Sequence, residues 1–436
     1  MFCRVLCLLS AGMLMAQTAA DPRDTARKAL DLVLAHKHSE LMPLFSPSGK
    51  AAYTAAVQAR NDAAIQSWGA VVSIGAPAVR KIGASSIVSI PVNFATQIVI
   101  FQTAVNEQGL LGLINLTADP WKHPPYAKLD SFKEREVTIG TEWKLPGTLS
   151  VPNGQGPFPG VVLVHDSGQG DRDESIFAAK VFKDLAEGLA SRGVVVLRYE
   201  KRITMYPQVM QAREYTAEAE TIDDAVLAAA VLRAQPEVKP GRVFELGFGF
   251  GGYLMPRIAE ADGKLAGMAI VNGNERPLED LAVDEAQDMG QTLAQTMDAK
   301  DPKLAAFKVQ MAVIEESAAK IKRLTPADED TSPLLAKLGP YWLDLKGYDP
   351  AGQAKLLGGV PMLILQGERG FPVSMKDFAA WKAGLQGMKN VTMKSYPALD
   401  RILLAGTGKA QEADYRKPGQ HVAPEVIDDL VKWLNQ

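Results

Sequence analysis

Two periods of hydrophobic and polar positions run along the chain, and the change between them falls near residue 133. Over residues 24–36, Ala26, Ala29, Leu30, Leu32, Val33 and Leu34 recur mostly three or four apart, which is the spacing of one helix face. A second helix is predicted over 49–68. Four runs rich in β-branched and other apolar residues follow at 78–82, 86–94, 97–103 and 110–116, separated by Gly-Ala, Ala-Thr and Asn-Glu-Gln-Gly, and they read as strands. Helices followed by strands predict a small α+β domain over 22–118. The prolines at 120, 124 and 125 mark 119–132 as an extended linker.

From residue 133 short apolar runs alternate with amphipathic stretches. Strands are predicted at 161–164, 194–199, 243–246, 268–271, 362–365 and 391–396, with helices at 178–192, 216–233, 251–261 and 425–434. Continuous apolar strands alternating with helices make a mostly parallel sheet covered on both faces, an α/β domain over 133–436. A mixed apolar and charged helical insert spans 278–345.

Composition narrows the function without naming it. The chain has 436 residues, is 47% hydrophobic and carries a net charge of −3. That suits two domains with sizeable cores, and it gives no basic footprint for a nucleic acid. Arg4, the apolar run Val5 to Ala16, and the small residues Thr18, Ala19 and Ala20 read as a signal peptide cleaved before Asp21, because the run is too short to span a bilayer. The expected product is exported, periplasmic or extracellular, with no membrane segment after cleavage. Cys3 and Cys7 are the two cysteines of the chain. Both lie in that segment, so the mature protein is expected to have no disulfide, thiolate nucleophile or cysteine metal site. The five histidines are scattered. His36 and His38 would diverge on a helix, so no metal site and no cofactor are expected. The match to a glycosylation sequon at Asn115-Leu116-Thr117 is read as incidental.

The chemistry centres on Gly247-Phe248-Gly249-Phe250-Gly251, which stands between a predicted strand and a predicted helix. That order is a nucleophile elbow, a strained turn that lifts its central side chain over the sheet. The stretch Pro159 to Gly168, the acidic run Asp171-Arg172-Asp173-Glu174, and Leu197 to Arg202 resemble exported bacterial α/β hydrolases of the esterase and dienelactone-hydrolase-like kind, over roughly residues 130–436. The resemblance implies an α/β-hydrolase fold with 278–345 as a helical lid over the active-site crevice. It also implies a nuclear-transport-factor-like domain in front.

Against that family's Ser, acid, His order, all three positions differ. The centre of the elbow is Gly249, which has no side chain to attack a carbonyl. In the loop Gln366 to Val373 the aspartate position is Gly370, with Glu368 two residues away as a substitute acid. In the loop Tyr396 to Arg401 the histidine position is Arg401, which stays protonated and is no base. Asp166 replaces a family glycine beside the oxyanion loop, and a carboxylate there opposes a developing negative charge.

His165 is expected to hold that loop, and His421 to be structural. The acidic run at 171–174 is expected to fix a loop, and Glu220, Asp223 and Asp224 to form a capped or solvated helix face. The residues expected to face a ligand are His165, Asp166, Ser167, Phe248, Phe250 and Arg401. If Arg401 points over Gly249, a carboxylate becomes the leading ligand class. Three readings follow: a non-catalytic hydrolase homologue binding a small molecule in the lidded crevice or a partner; an ester or amide hydrolase using a displaced nucleophile such as Ser167; and a structural protein acting through its first domain. Oligomeric state is left open by the sequence.

Overall fold

In the computed structural model, residues 21–82, 84–119, 121–211, 215–298, 300–328 and 334–436 are described, so the predicted signal peptide lies outside the described residues. The chain divides after Ala118 into two units.

In the first unit, helices Pro22–Leu34, His38–Leu41, Pro47–Ala52 and Ala55–Trp68 precede strands β1 (Val71–Ile74), β2 (Ala78–Ile82), β3 (Ser85–Phe94), β4 (Ile98–Asn106) and β5 (Leu111–Ala118). All strand pairs are antiparallel, in the order β1-β3-β4-β5 with β2 also on β3. The apolar stripe Ala26, Leu30 and Val33 is buried in one core with Val88, Ile90 and Phe101. The single helix predicted over 49–68 is two, because Thr54 caps a new start by accepting the Val57 N–H, as a hydroxyl does at an N-cap. β1 was missed because its residues are mostly exposed and carry no alternation.

His36 and His38 do not diverge. The first helix ends at Leu34, and His36 takes a left-handed conformation with φ of 56°. The chain reverses there, and both imidazoles reach Asp62 on the helix Ala55–Trp68.

In the second unit, the strands are β6 (Phe132–Ile139), β7 (Leu145–Pro152), β8 (Phe158–Val164), a short hairpin β9 (Ser175–Ile176) and β10 (Ala179–Lys180), β11 (Val195–Tyr199), β12 (Val238–Phe248), β13 (Gly267–Val271), β14 (Met362–Gly367) and β15 (Val391–Tyr396). Eight of them form one sheet in the order β15-β14-β13-β12-β8-β11-β7-β6. It is parallel from β15 to β11, and β7 and β6 add an antiparallel edge. The sheet is buried on both faces. Val162 and Val164 enter one core while Val161 and Leu163 enter the other, which is why the sequence shows a continuous apolar run there. The fold is the α/β-hydrolase fold.

The segment read as a linker is extended but docked on this unit. Trp121 is buried, and its indole N–H donates to Asp184 at 2.8 Å.

The helix predicted over 216–233 begins with a π-helical turn, Glu218–Ile222, before Asp223–Arg233. Here the expectation of a solvated face fails for two residues. Glu220 and Asp224 are 1% and 2% exposed, because each is bonded to a buried cation, Lys201 and Arg202 respectively. Of the three acidic residues, Asp223 alone is exposed.

Within 278–345 the helices Leu278–Thr296 and Pro302–Arg323 lie together, with Met289, Val309 and Val313 exposed. Among the described residues no helix is long and apolar enough to cross a membrane.

Candidate functional site

The parallel strands end along one edge, and in open α/β sheets ligands bind beyond the carboxyl ends of strands. β8 leads into His165 and Asp166, β12 into Gly249, β13 into Asn272, β14 into Glu368, and β15 into the turn that carries Arg401.

Glycines make the turn after β12 what it is. A Cβ on Gly247 would sit 2.3 Å from the Gly251 carbonyl, and one on Gly251 would sit 2.6 Å from the carbonyls of Val164 and His165. The strand and the following helix, Phe250–Asp262, therefore approach backbone to backbone. Gly249 itself has φ of 52° and ψ of −116°, a left-handed conformation that disfavours any side chain. This is elbow geometry with nothing at its tip.

What stands at the tip instead comes from the loop after β8. A Cβ on Gly249 would lie 2.4 Å from Cγ and Oδ1 of Asp166, so the Asp166 carboxylate occupies the space into which a residue at the elbow projects. Its Oδ1 accepts the Phe250 N–H at 2.8 Å and the Ser167 N–H at 2.7 Å. In hydrolases of this fold the oxyanion hole is built from the N–H following the nucleophile and an N–H from the loop after an early core strand. Both donors of that kind are taken here by one carboxylate oxygen. The Asp166 Oδ2 lies 3.8 Å from the Arg401 guanidinium. The space left among Asp166, Phe248, Gly249, Asn272, Phe371 and Arg401 is about 10 Å³, room for at most one water.

The loop holding Asp166 is fixed from behind. The Asp166 carbonyl accepts from Lys201 Nζ at 2.5 Å, and the Gly168 N–H donates to Glu220 at 3.0 Å. Glu220 also accepts from Lys201, Lys337, Tyr215 and Tyr341. Burial pushes Glu220 up, but Lys201 and Lys337 outweigh it and hold the carboxyl below its ordinary range. Among the described residues no cation pairs directly with Glu174. Burial, then the charge of Asp166, raises it to about 8, so it is protonated at neutral pH. The run 171–174 does fix a loop: Arg172 donates to Glu200 and Glu136, and Asp173 pairs with Arg198.

The other predicted residues separate into those at the site and those beside it. Gly249, Arg401, Asp166 and Phe248 line the remaining space. Gly370 follows β14 in a tight loop, where a Cβ would be 2.8 Å from the Val373 carbonyl. Glu368 is exposed and accepts from Ser395 on the neighbouring strand; it does not substitute at the site in this conformation.

Two expected ligand-facing side chains point elsewhere. His165 is 1% exposed between Phe182 and Tyr199, and burial, then the Lys201 charge, lowers its pKa to about 3. Phe250 is equally buried and stacks on Tyr253, so it contributes its N–H and not its ring. Ser167 is exposed, and no described hydrogen bond links its hydroxyl to a histidine. His421 lies 3.2 Å from Asp184, within a group that also includes Trp121.

None of the described residues of 278–345 lines the space over Gly249; the insert reaches the site's surroundings through Lys337 and Tyr341 on Glu220.

Sequence reasoning missed Glu220, Lys201 and Asn272 as organisers of the site. Asn272, with φ of 47°, donates to the Arg401 carbonyl at 2.8 Å and accepts from the Gly367 N–H at 2.7 Å. The available signal was a polar residue immediately after a fully apolar strand.

Residues 145–322 match the dienelactone hydrolase family. Esterase EstD of Thermotoga maritima is 36% identical over 319 residues, covering 73% of this chain and 71% of that protein. Among solved structures, Est1E from Butyrivibrio proteoclasticus aligns with a TM-score of 0.43 at 13% identity, over 69% of this chain and 99% of that one. An esterase of Pyrococcus furiosus aligns with a TM-score of 0.42 at 12% identity, over 72% and 98%.

Proposed function

Since this chain belongs to the dienelactone hydrolase family, we propose that it is an exported, non-catalytic member whose acyl-transfer site is closed by its own carboxylate. One observation carries the reading. Asp166 Oδ1 holds both the Phe250 and Ser167 N–H groups, in the space a side chain at Gly249 would need. A substrate carbonyl entering the elbow would meet a fixed negative charge where it requires two donors. Gly249, Gly370 and Arg401 supply neither a nucleophile, nor an acid, nor a base, and triad groups act as a unit. Arg401 points over Gly249, yet the carboxylate it meets is Asp166, so the loop itself plays the part of an anionic ligand.

In this reading the family's scaffold serves binding, of a small molecule or a partner, at surfaces other than a formed oxyanion pocket. The first unit, helices followed by an antiparallel sheet, is the nuclear-transport-factor-like domain, and the pair Leu278–Thr296 and Pro302–Arg323 holds the chain position of the family's lid, although none of its described residues lines the space over Gly249. Export, in this reading, rests on residues 1–20 acting as a signal peptide.

A second reading, ester hydrolysis, is favoured by the 36% identity to a protein named an esterase, and it would use a displaced nucleophile such as Ser167. Turnover of a short-chain aryl ester separates the two. The non-catalytic reading expects no hydrolysis above buffer. Hydrolysis that disappears in Ser167→Ala would establish the second reading.

A further inference from the structure

We propose that His36, His38 and Asp62, in the first unit, bind a divalent transition metal of the zinc class. The three side chains offer ligand atoms that all lie within 4.8 Å of one another. His36 Nδ1 is 2.7 Å from Asp62 Oδ1, and His38 Nε2 is 2.9 Å from Asp62 Oδ2. Zinc binds imidazole nitrogen and carboxylate oxygen at about 2.0–2.2 Å, so ligand atoms of a tetrahedral site sit roughly 3.3 Å apart. The two imidazole–carboxylate separations need to open by only a few tenths of an ångström to admit the ion.

The backbone is committed to this convergence. Two residues apart on a helix, the imidazoles would face different ways. The left-handed φ of 56° at His36, a conformation a non-glycine residue adopts at a steric cost, turns both rings toward one carboxylate. Asp62 stands inside the regular helix Ala55–Trp68, which fixes the third ligand. The other nitrogen of His38, Nδ1, is 3.4 Å from the hydroxyl of Tyr53, which is 2% exposed; such an outer partner orients a ligating ring.

Two neutral imidazoles and one carboxylate suit zinc, nickel, copper or iron far better than magnesium or calcium, which take oxygen ligands. The side chains of His36 and Asp62 are 49% and 34% exposed and line an open groove with Ala59, Ala63 and Gln66, so an ion has access. Three protein ligands with an open position is the arrangement of a site that also takes water or an anion. The inference is independent of the hydrolase unit.

The test is titration of the purified, tag-free chain with Zn²⁺ by calorimetry and with Co²⁺ by visible absorption. The expected result is one saturable equivalent with ligand-field bands, unaffected by excess Mg²⁺. His38→Ala and Asp62→Asn are expected to weaken affinity at least about tenfold, while His123→Ala leaves it unchanged. Asp62→Asn keeps the side-chain shape, and circular dichroism of each variant confirms that it is folded. No binding up to millimolar metal, or binding unchanged in folded Asp62→Asn and His38→Ala, overturns the proposal.

Discussion

Restoring a serine at the elbow should harm this protein, and the harm should depend on Asp166. In Gly249→Ser the new Cβ would fall 2.4 Å from the Asp166 carboxylate, so that group must leave the Phe250 and Ser167 N–H donors. A hydrogen bond to a charged group contributes roughly 1.5–3 kcal/mol, and because the two bonds share one acceptor oxygen that is rehydrated on release, their joint loss is about 2 kcal/mol. The φ of 52° at this position adds about 1–3 kcal/mol for a non-glycine residue. The single variant should therefore lose on the order of 4 kcal/mol. In an Asp166→Ala background only the backbone cost remains, so Gly249→Ser should cost about 2 kcal/mol less there, a coupling typical of residues in contact. The assay is urea unfolding of the wild type, both single variants and the double variant, closed as a double-mutant cycle. A coupling below about 0.5 kcal/mol would show that Asp166 does not fill the elbow, and the account of the closed site would fail. Neither serine-bearing variant should gain esterase activity, because Arg401 supplies no base.

Three further outcomes follow from the network behind the loop and from the buried charges. Glu220→Gln leaves Lys201 and Lys337 unpaired and should destabilise by about 3–5 kcal/mol at pH 7. The native carboxyl is held below its unfolded value of 4.5, so its contribution is present above pH about 4.5 and lost in acid, and the difference between wild type and variant in urea unfolding should shrink there. Glu245 has the opposite sign: fully buried on β12, it has no hydrogen-bond partner for either carboxylate oxygen among the described residues, and burial, then Asp262, raises it to about 8. Its unfolded form loses its proton near 4.5, so stability should fall as pH rises from 5 to 9 by on the order of a few kcal/mol, and Glu245→Gln should flatten that slope; parallel slopes would contradict the assignment. Arg401→Ala should change the unfolding free energy by less than about 1 kcal/mol, because its 3.8 Å pair with Asp166 is partly exposed.

The second unit was legible because its strands are buried on both faces and so read as unbroken apolar runs, as at Val161 to Val164. The edge strands β6 and β7 were not, since Phe132–Ile139 is half charged and carries little apolar pattern. The elbow was legible from its glycines and its strand–helix order. The role of Asp166 was only half legible. Sequence shows a carboxylate replacing a glycine, but not that Gly249 makes room for it, because the two meet only through the sheet. Glu220 was misplaced because a π-helical turn rotates it out of the 3.6-residue period. His36 and His38 were misjudged for a similar reason: a helical spacing rule was applied to residues straddling a left-handed turn.

Covalent labelling reads most directly whether this member of the dienelactone hydrolase family carries a competent serine site. Intact mass of the native chain after incubation with a fluorophosphonate should show no adduct. Stoichiometric addition of one phosphonyl group, lost in Ser167→Ala, would contradict the non-catalytic reading.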